Sequence, residues 1–470
     1  MVKKSKNTSG KNTITKVMVL SAFSLAISAL AQTKLESWIT KGDQSVLLSK
    51  QKPLKFTSNK GNSTNQIIVD ASKKFQTIDG FGYTLTYGSV QVINTLNKEE
   101  RTKLLRELFG KDANGISVSY IRLSVAASDL NPTVFSYDDV EGDVELKHFS
   151  LEKDRIVIEM LKEILKLNPD IKLMSAPWSA PAWMKDNNSS KGGSLKPEHF
   201  DTYARYFVKY IQEMQKQGIT IDAITPQNEP LHPGNVPSMY MSAESQRDFI
   251  KYNLGPAFEK AGIKTKIVVY DHNCNKPEYP IAILNDLEAK KYIDGSAFHL
   301  YEGEISALST VHNAHPDKSL YFTEQWTGSR SDFKGDLNWH LRNVVIGSMR
   351  NWSKNALEWN LANDADFNPH TDGGCTECKG AITVHSSNKL ERNVAYYIIA
   401  HASKFVPQNS VRIASTQTEK LATAAFKTPQ GKYVLLVQND AEDEQNFEIK
   451  MNNKVVKTSL SGKSVASYVF

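Results

Sequence analysis

The chain has 470 residues, 40% of them hydrophobic and 23% charged, the ordinary makeup of a globular protein long enough to bury a large core. Its formal charge of +6 comes almost wholly from residues 1–31, which hold Lys3, Lys4, Lys6, Lys11 and Lys16 and no acid. Taking those five lysines from the 57 basic residues leaves 52 against 51 acidic ones, a balance without pull toward polyanions, so no nucleic-acid partner is expected.

Residues 1–31 read as a secretory signal, with a lysine-bearing start, an apolar run from Val17 to Leu30 and the small-x-small site Ala29-Leu30-Ala31. The run is short for a bilayer span and nothing later looks transmembrane. The expectation is an exported protein, periplasmic or secreted, that starts near Gln32 and is not inserted in a membrane. Three cysteines occur, Cys274, Cys375 and Cys378. They lack the second ligand pair of a zinc site, and neither metal nor cofactor is expected. Cys375 and Cys378 read equally as a tight disulfide or as two thiols.

Residues 32–72 look extended. Over 73–403 strand-like runs alternate with helical patterns. The strands fall at Phe75–Gly82, Val118–Val125, Ile171–Trp178, Ile221–Pro226, Lys266–Asp271, Gly295–Tyr301, Leu320–Glu324 and Ala356–Leu361. Helices are expected at 98–110, 154–167, 198–217, 243–261, 278–290, 304–314, 335–352 and 391–402. The helix after Pro197 is the clearest, with Tyr203, Phe207, Tyr210, Ile211 and Met214 at helical spacing and Gly218 beyond its end. This alternation predicts a (β/α)₈ barrel. Residues 404–470 carry short strands split by turn residues, and predict a side β-sandwich that also draws on 32–72.

In a parallel barrel the active site lies at the carboxyl ends of the strands. There the sequence places Arg122 and Asp129, Trp178, Asn228 and Glu229, Asp271 and His272, His299 and Tyr301, Glu324 and Trp326, and Glu358, Trp359 and Asn360. Two glutamates ending separate strands, Glu229 after the fourth and Glu324 on the seventh, are what glycoside hydrolysis needs. Carboxylates and amides take up sugar hydroxyls, and tryptophan faces stack on pyranose rings. Asp271 and His272 read equally as loop caps and stay outside the catalytic set; His385 and His401 read as structural.

Seven segments in order resemble glycoside hydrolase family 30, the family of lysosomal glucosylceramidase and of bacterial and fungal β-1,6-glucanases. They are Phe75–Gly82, Ile121–Asp129, Ser175–Lys185, Gln227–Pro230, Phe298–Tyr301, Phe322–Gln325 and Glu358–Leu361. The resemblance implies a retaining β-glycosidase with Glu229 as acid/base and Glu324 as nucleophile, about 5–5.5 Å apart. It also implies a raised pKa for Glu229, so that it starts protonated. Arg122 would keep Glu324 ionised, Asn228 would hold the sugar 2-hydroxyl, Asp129, Trp178 and Trp359 would grip the terminal glucose, and His299 and Tyr301 would line the pocket. For Trp326, substrate contact and core filling weigh equally.

The wording of Phe322–Trp326 and Thr371–Cys375 is most similar to the bacterial endo-β-1,6-glucanase branch. The expected substrate is therefore a β-glucan. An exo-acting β-glucosidase or glucosylceramidase is the alternative, with a xylan-acting member, kept open by Arg330 and Lys334, and a non-catalytic sugar-binding protein behind it.

Overall fold

The computed structural model describes residues 1, 2, 4, 34–58, 65–112, 114–330, 332–386 and 388–470. The expected signal segment lies outside these residues apart from Met1, Val2 and Lys4. No helix among the described residues is long and apolar enough to cross a membrane.

Eight parallel strands succeed one another in chain order around one sheet: Gly80–Thr84, Tyr120–Ser124, Lys172–Ala176, Ala223–Ile224, Lys266–Asn273, Ile293–His299, Ser319–Glu324 and Asn355–Asn360. The eighth strand pairs with the first. Between the seventh and eighth the ladder thins to a bridge, Leu320 with Ser353, and Asn355 Oδ1 accepts the Phe322 N–H at 2.8 Å. The barrel is thus nearly closed. One interior layer is filled by Tyr120, Met174, Ala223, Val268, Ala297, Tyr321 and Leu357, one from each strand after the first. The layer seals the barrel floor, so a site can open only at the ends.

The eight expected helices are present to within a few residues. Arg155–Leu167 turns Val157, Ile158, Met160, Leu161 and Ile164 inward, the spacing of one helical face. Phe200–Lys216 does the same with Tyr203, Phe207, Tyr210, Ile211 and Met214, and Gly218 comes next at φ +80°. The structure adds a helix at Tyr87–Ile93; Thr86 caps it by accepting the Ser89 N–H.

The run expected as the first strand is divided. Gln66–Thr77 lies in the sandwich sheet, and the barrel strand starts at Gly80, whose φ of +150° and closeness to Ser119 exclude a side chain. The boundary expected at residue 73 therefore falls inside a sandwich strand.

The sandwich is a ten-stranded sheet with its own core, including Leu35, Ile67, Ile413, Leu435, Val437, Phe447 and Ile449. Lys34–Lys41 pairs antiparallel with Ser464–Val469, and Gln66–Thr77 lies between Val411–Ser415 and Gln445–Met451. Two of its strands are buried on both faces. Leu421, Ala425, Leu435 and Val437 face the sandwich core, while Ala422, Ala424, Phe426, Val434 and Leu436 join the barrel's core. The two-residue period of a strand supplies both faces.

Candidate active site

The carboxyl ends of the strands converge on a pocket of about 330 Å³ lined by Asp129, Trp178, Glu229, His232, Asn235, His272, Asn273, Tyr301, Glu302, Glu324, Trp326, Trp359 and the Cys375–Cys378 disulfide. Three local irregularities aim its side chains. Alternation from Val268 would point Tyr270 inward. Instead the fifth strand gains one residue against the sixth, Tyr270 facing Ala297 and His272 facing Phe298. Such a bulge reverses the facing of the residues beyond it, and Asp271 takes the interior position. Thr323 is likewise extra on the seventh strand and Trp359 on the eighth. Glu229, Tyr270 and Asp271 have φ of 45°, 77° and 64°. Left-handed backbone costs roughly 1–3 kcal/mol per residue and persists where the surroundings fix it. Here the Glu229 N–H donates to Asp271 O at 3.0 Å and locks the two segments together.

The fully buried guanidinium of Arg122 lies beneath this pocket. It donates to Glu324 Oε2 at 2.6 Å, to Asn228 Oδ1 at 2.7 Å and to Asp271 Oδ2 at 2.8 Å. The Trp178 ring stands 4.9 Å from its central carbon and the Trp359 ring 6.0 Å, and the two indoles pack 5.2 Å apart. Tyr301 donates its hydroxyl to Glu324 Oε1 at 2.9 Å.

His299 ties the carboxylates together. Its Nδ1 is 3.3 Å from Glu229 Oε1 and 3.6 Å from Glu324 Oε1. The two glutamate oxygens therefore lie at most about 7 Å apart, a bound that admits the retaining separation of about 5–5.5 Å. His299 Nε2 is 3.1 Å from Asp271 Oδ1. Asp271 also accepts from Arg122, from Thr225 Oγ1 at 2.7 Å and from Thr323 Oγ1 at 2.6 Å. A carboxylate surrounded by donors is ionised and fixes the proton on His299 Nε2.

The electrostatics set burial against these contacts. Burial pushes Asp271 up, but Arg122, His299 and Thr323 outweigh it and hold the carboxyl far below its usual range. Burial pushes His299 down, yet the carboxylates of Glu324, Asp271 and Glu229 lift it to about 9. Glu229 departs from the expectation of a raised pKa. Burial raises it, and the rings of His272 and His299 override that and hold it low. Burial likewise pushes Glu324 up, against His299 and Arg122. Its hydrogen bonds decide the state. Both oxygens accept, from Arg122 Nη1 and the Tyr301 hydroxyl, an arrangement that favours the carboxylate. The mobile proton of the free pocket thus sits on His299 Nδ1, against Glu229 Oε1.

Asp129 is buried with one oxygen unpartnered, and burial with the charges of Glu324 and Glu229 pushes its carboxyl up to about 7. Trp326 is half-buried and packs with Cys375 against the Trp178–Trp359 pair. Of the ten residues selected from the sequence for catalysis or substrate binding, seven line this pocket, and Arg122, Asn228 and His299 lie behind it in the network that holds Glu324 and Glu229. Of Asp271 and His272, which the sequence reads equally as loop caps, His272 lines the pocket and Asp271 lies behind it on Arg122 and His299. Glu358 faces away and meets His340 Nδ1 at 2.8 Å. Arg330 pairs with Glu377 and Lys334 with Glu442. The Cys375 and Cys378 thiols, left open by the sequence, are joined. His385 sits by Glu391, and His401 is buried between Ser467 and Thr40.

A parallel barrel with two carboxylates on one histidine beneath a tryptophan pair defines a carbohydrate-cleaving enzyme. The chain belongs to glycosyl hydrolase family 30: the family's TIM-barrel domain matches residues 78–406 and its β-sandwich domain residues 409–468. It is 35% identical over 439 residues to the Endo-1,6-beta-D-glucanase of Neurospora crassa, spanning 88% of this chain and 90% of that protein. It is 33% identical over 394 residues to Putative glucosylceramidase 2 of Caenorhabditis elegans, spanning 79% and 76%. The solved structure of the endo-beta1,6-glucanase BT3312 superposes with a TM-score of 0.87 at 35% identity, over 93% of this chain and 99% of that one.

Proposed function

We propose that this chain is an endo-β-1,6-glucanase that hydrolyses its substrate by double displacement. The observation that carries the chemistry is the placement of Glu229 and Glu324 on one ring nitrogen of His299. Glu324 attacks the anomeric carbon as the glycosidic bond breaks, and the departing oxygen takes a proton from Glu229, which draws it from His299 Nδ1. Glu229 then deprotonates a water that attacks the same carbon and frees Glu324. Arg122 and Tyr301 hold the nucleophile ionised and aimed.

The choice of β-1,6-glucan rests on the named activities of the Neurospora relative and of BT3312. The lining supports it: among the described residues it is aromatic and polar without an aliphatic side chain, which suits sugar on both sides of the bond. Product analysis on β-1,3-, β-1,4- and β-1,6-linked glucans, with glucosylceramide alongside, is expected to show short oligosaccharides from the β-1,6 polymer first. Glucose alone, or preference for the lipid, would overturn the reading. Glu324→Gln should abolish turnover, while Glu229→Ala should spare an activated aryl β-glucoside more than the polysaccharide, since a good leaving group needs little acid.

Export is part of the same reading. It is supported by the basic and apolar opening of the sequence and by the Cys375–Cys378 disulfide, a bond that persists in oxidising compartments. Fractionation of cells expressing the full chain should place it outside the cytoplasm.

A further inference from the structure

We propose that Glu229, His272 and His299 form a binding site for zinc(II), seated on the glutamate that handles the proton, and that occupancy stops turnover. The three side chains each offer one ligand atom, and these atoms lie within 4.8 Å of one another. Glu229 Oε1 is 3.3 Å from His299 Nδ1 and 3.7 Å from His272 Nδ1. A tetrahedral zinc with bonds of about 2.0–2.1 Å holds its ligands about 3.3–3.4 Å apart, so a small turn of one ring completes the triad.

His272 supplies the independent evidence. The residue is 6% exposed and its Nδ1 is buried without a hydrogen-bond partner. A polar atom in that condition is costly unless a ligand satisfies it. The glycosidic chemistry derived above gives it no role beyond helping to hold the Glu229 carboxyl low.

His299 is prepared for the same role. Its Nε2–H is committed to Asp271 Oδ1, so zinc displaces the proton on Nδ1 to solvent and takes the lone pair left there, which faces Glu229. A carboxylate behind a histidine is the arrangement that orients metal-binding imidazoles. Two imidazole nitrogens with carboxylate oxygen suit zinc or copper, whereas magnesium and calcium prefer oxygen alone. A cation bound to Glu229 Oε1 occupies the lone pair that must carry the proton, and it fills space beside the scissile bond.

This inference rests on ligand geometry and not on which glucan is cut. Zinc chloride titrated into the full protein by calorimetry should bind one to one, where magnesium chloride gives no heat. His272→Ala and Glu229→Gln should each weaken binding by about tenfold or more, with circular dichroism confirming that each variant is folded. His272→Asn serves where the alanine variant is not folded. Zinc should also inhibit hydrolysis of an aryl β-glycoside in competition with substrate. Failure to bind zinc, or wild-type affinity in both variants, would overturn the site. Because calorimetry does not need turnover, an error in the assigned substrate leaves this test intact.

Discussion

Tyr301 and Glu324 meet at 2.9 Å, hydroxyl to Oε1, while Arg122 holds the other oxygen of the same carboxylate at 2.6 Å. The nucleophile is thus gripped at both oxygens, one contact neutral and one charged. Hydrogen bonds to a charged group contribute about 1.5–3 kcal/mol, so Tyr301→Phe should lower kcat roughly 10- to 100-fold. Circular dichroism should show an unchanged fold. A variant with unaltered kcat would mean that Arg122 alone positions Glu324.

Arg122 bridges Glu324, Asn228 and Asp271 from a fully buried position. Replacing it with methionine fills part of the volume and strips two buried carboxylates of their guanidinium partner. Breaking a buried pair in this way costs about 3–5 kcal/mol, and Arg122→Met should lose that much in denaturant unfolding along with all measurable turnover. Arg122→Lys should rescue stability only in part, because an ammonium cannot reproduce the planar fork.

His401 predicts an acid-sensitive joint between the domains. It lies on the helix Val394–Ser403, fully buried, with its nitrogens 2.8 Å from Ser467 Oγ and Thr40 Oγ1 of the sandwich. Burial pushes its pKa down to about 3, below the unfolded value of about 6.5. Above the unfolded value the neutral ring is free of penalty in both states. Below it the unfolded chain takes up the proton first, and stability falls by roughly 1.4 kcal/mol per pH unit until the folded pKa is reached. Between pH 7.5 and 4.5 the wild type should lose about 2–3 kcal/mol more than His401→Gln in denaturant melts. Parallel losses would remove His401 as the cause.

The Cys375–Cys378 disulfide forms pocket wall beside Trp326 and the Trp178–Trp359 pair. Neighbouring Thr371 anchors its loop, its N–H to Asp129 O at 2.8 Å and its hydroxyl to Val236 O at 2.6 Å. The bond shapes the pocket without touching the reacting carboxylates. Cys375→Ser with Cys378→Ser should therefore raise KM several-fold while kcat stays within about twofold, the pattern of lost uniform binding. A larger fall in kcat than rise in KM would contradict that separation.

The barrel was legible because strands buried on both faces alternate with helices of clear 3.6-residue period, and because proline and glycine punctuate both. Glu229 and Glu324 were legible as carboxylates at strand ends within distinctive neighbours. Asp271 was not, since strict alternation from Val268 points Tyr270 inward and only the bulge against the sixth strand reverses this. The charge state of Glu229 was also beyond reach. It depends on His272 and His299, which arrive from two other strands, and no local pattern reports that encounter. Likewise Phe75–Thr77 reads as continuous with the barrel strand, and the division at Gly80 shows only when Ser119 comes close.

Glu36 stands opposite Val469, so strands from the two extremes of the described chain are immediate neighbours in the sheet. Such distant pairing forms slowly, since an intervening segment of great length must first be collected. During synthesis the barrel segment leaves the ribosome before the strands bearing Ala424, Phe426, Val434 and Leu436, which later cover its outer helices. The nascent polypeptide consequently carries a greasy, unclothed flank until those last strands have been made, and that interval is when chaperones have most to bind.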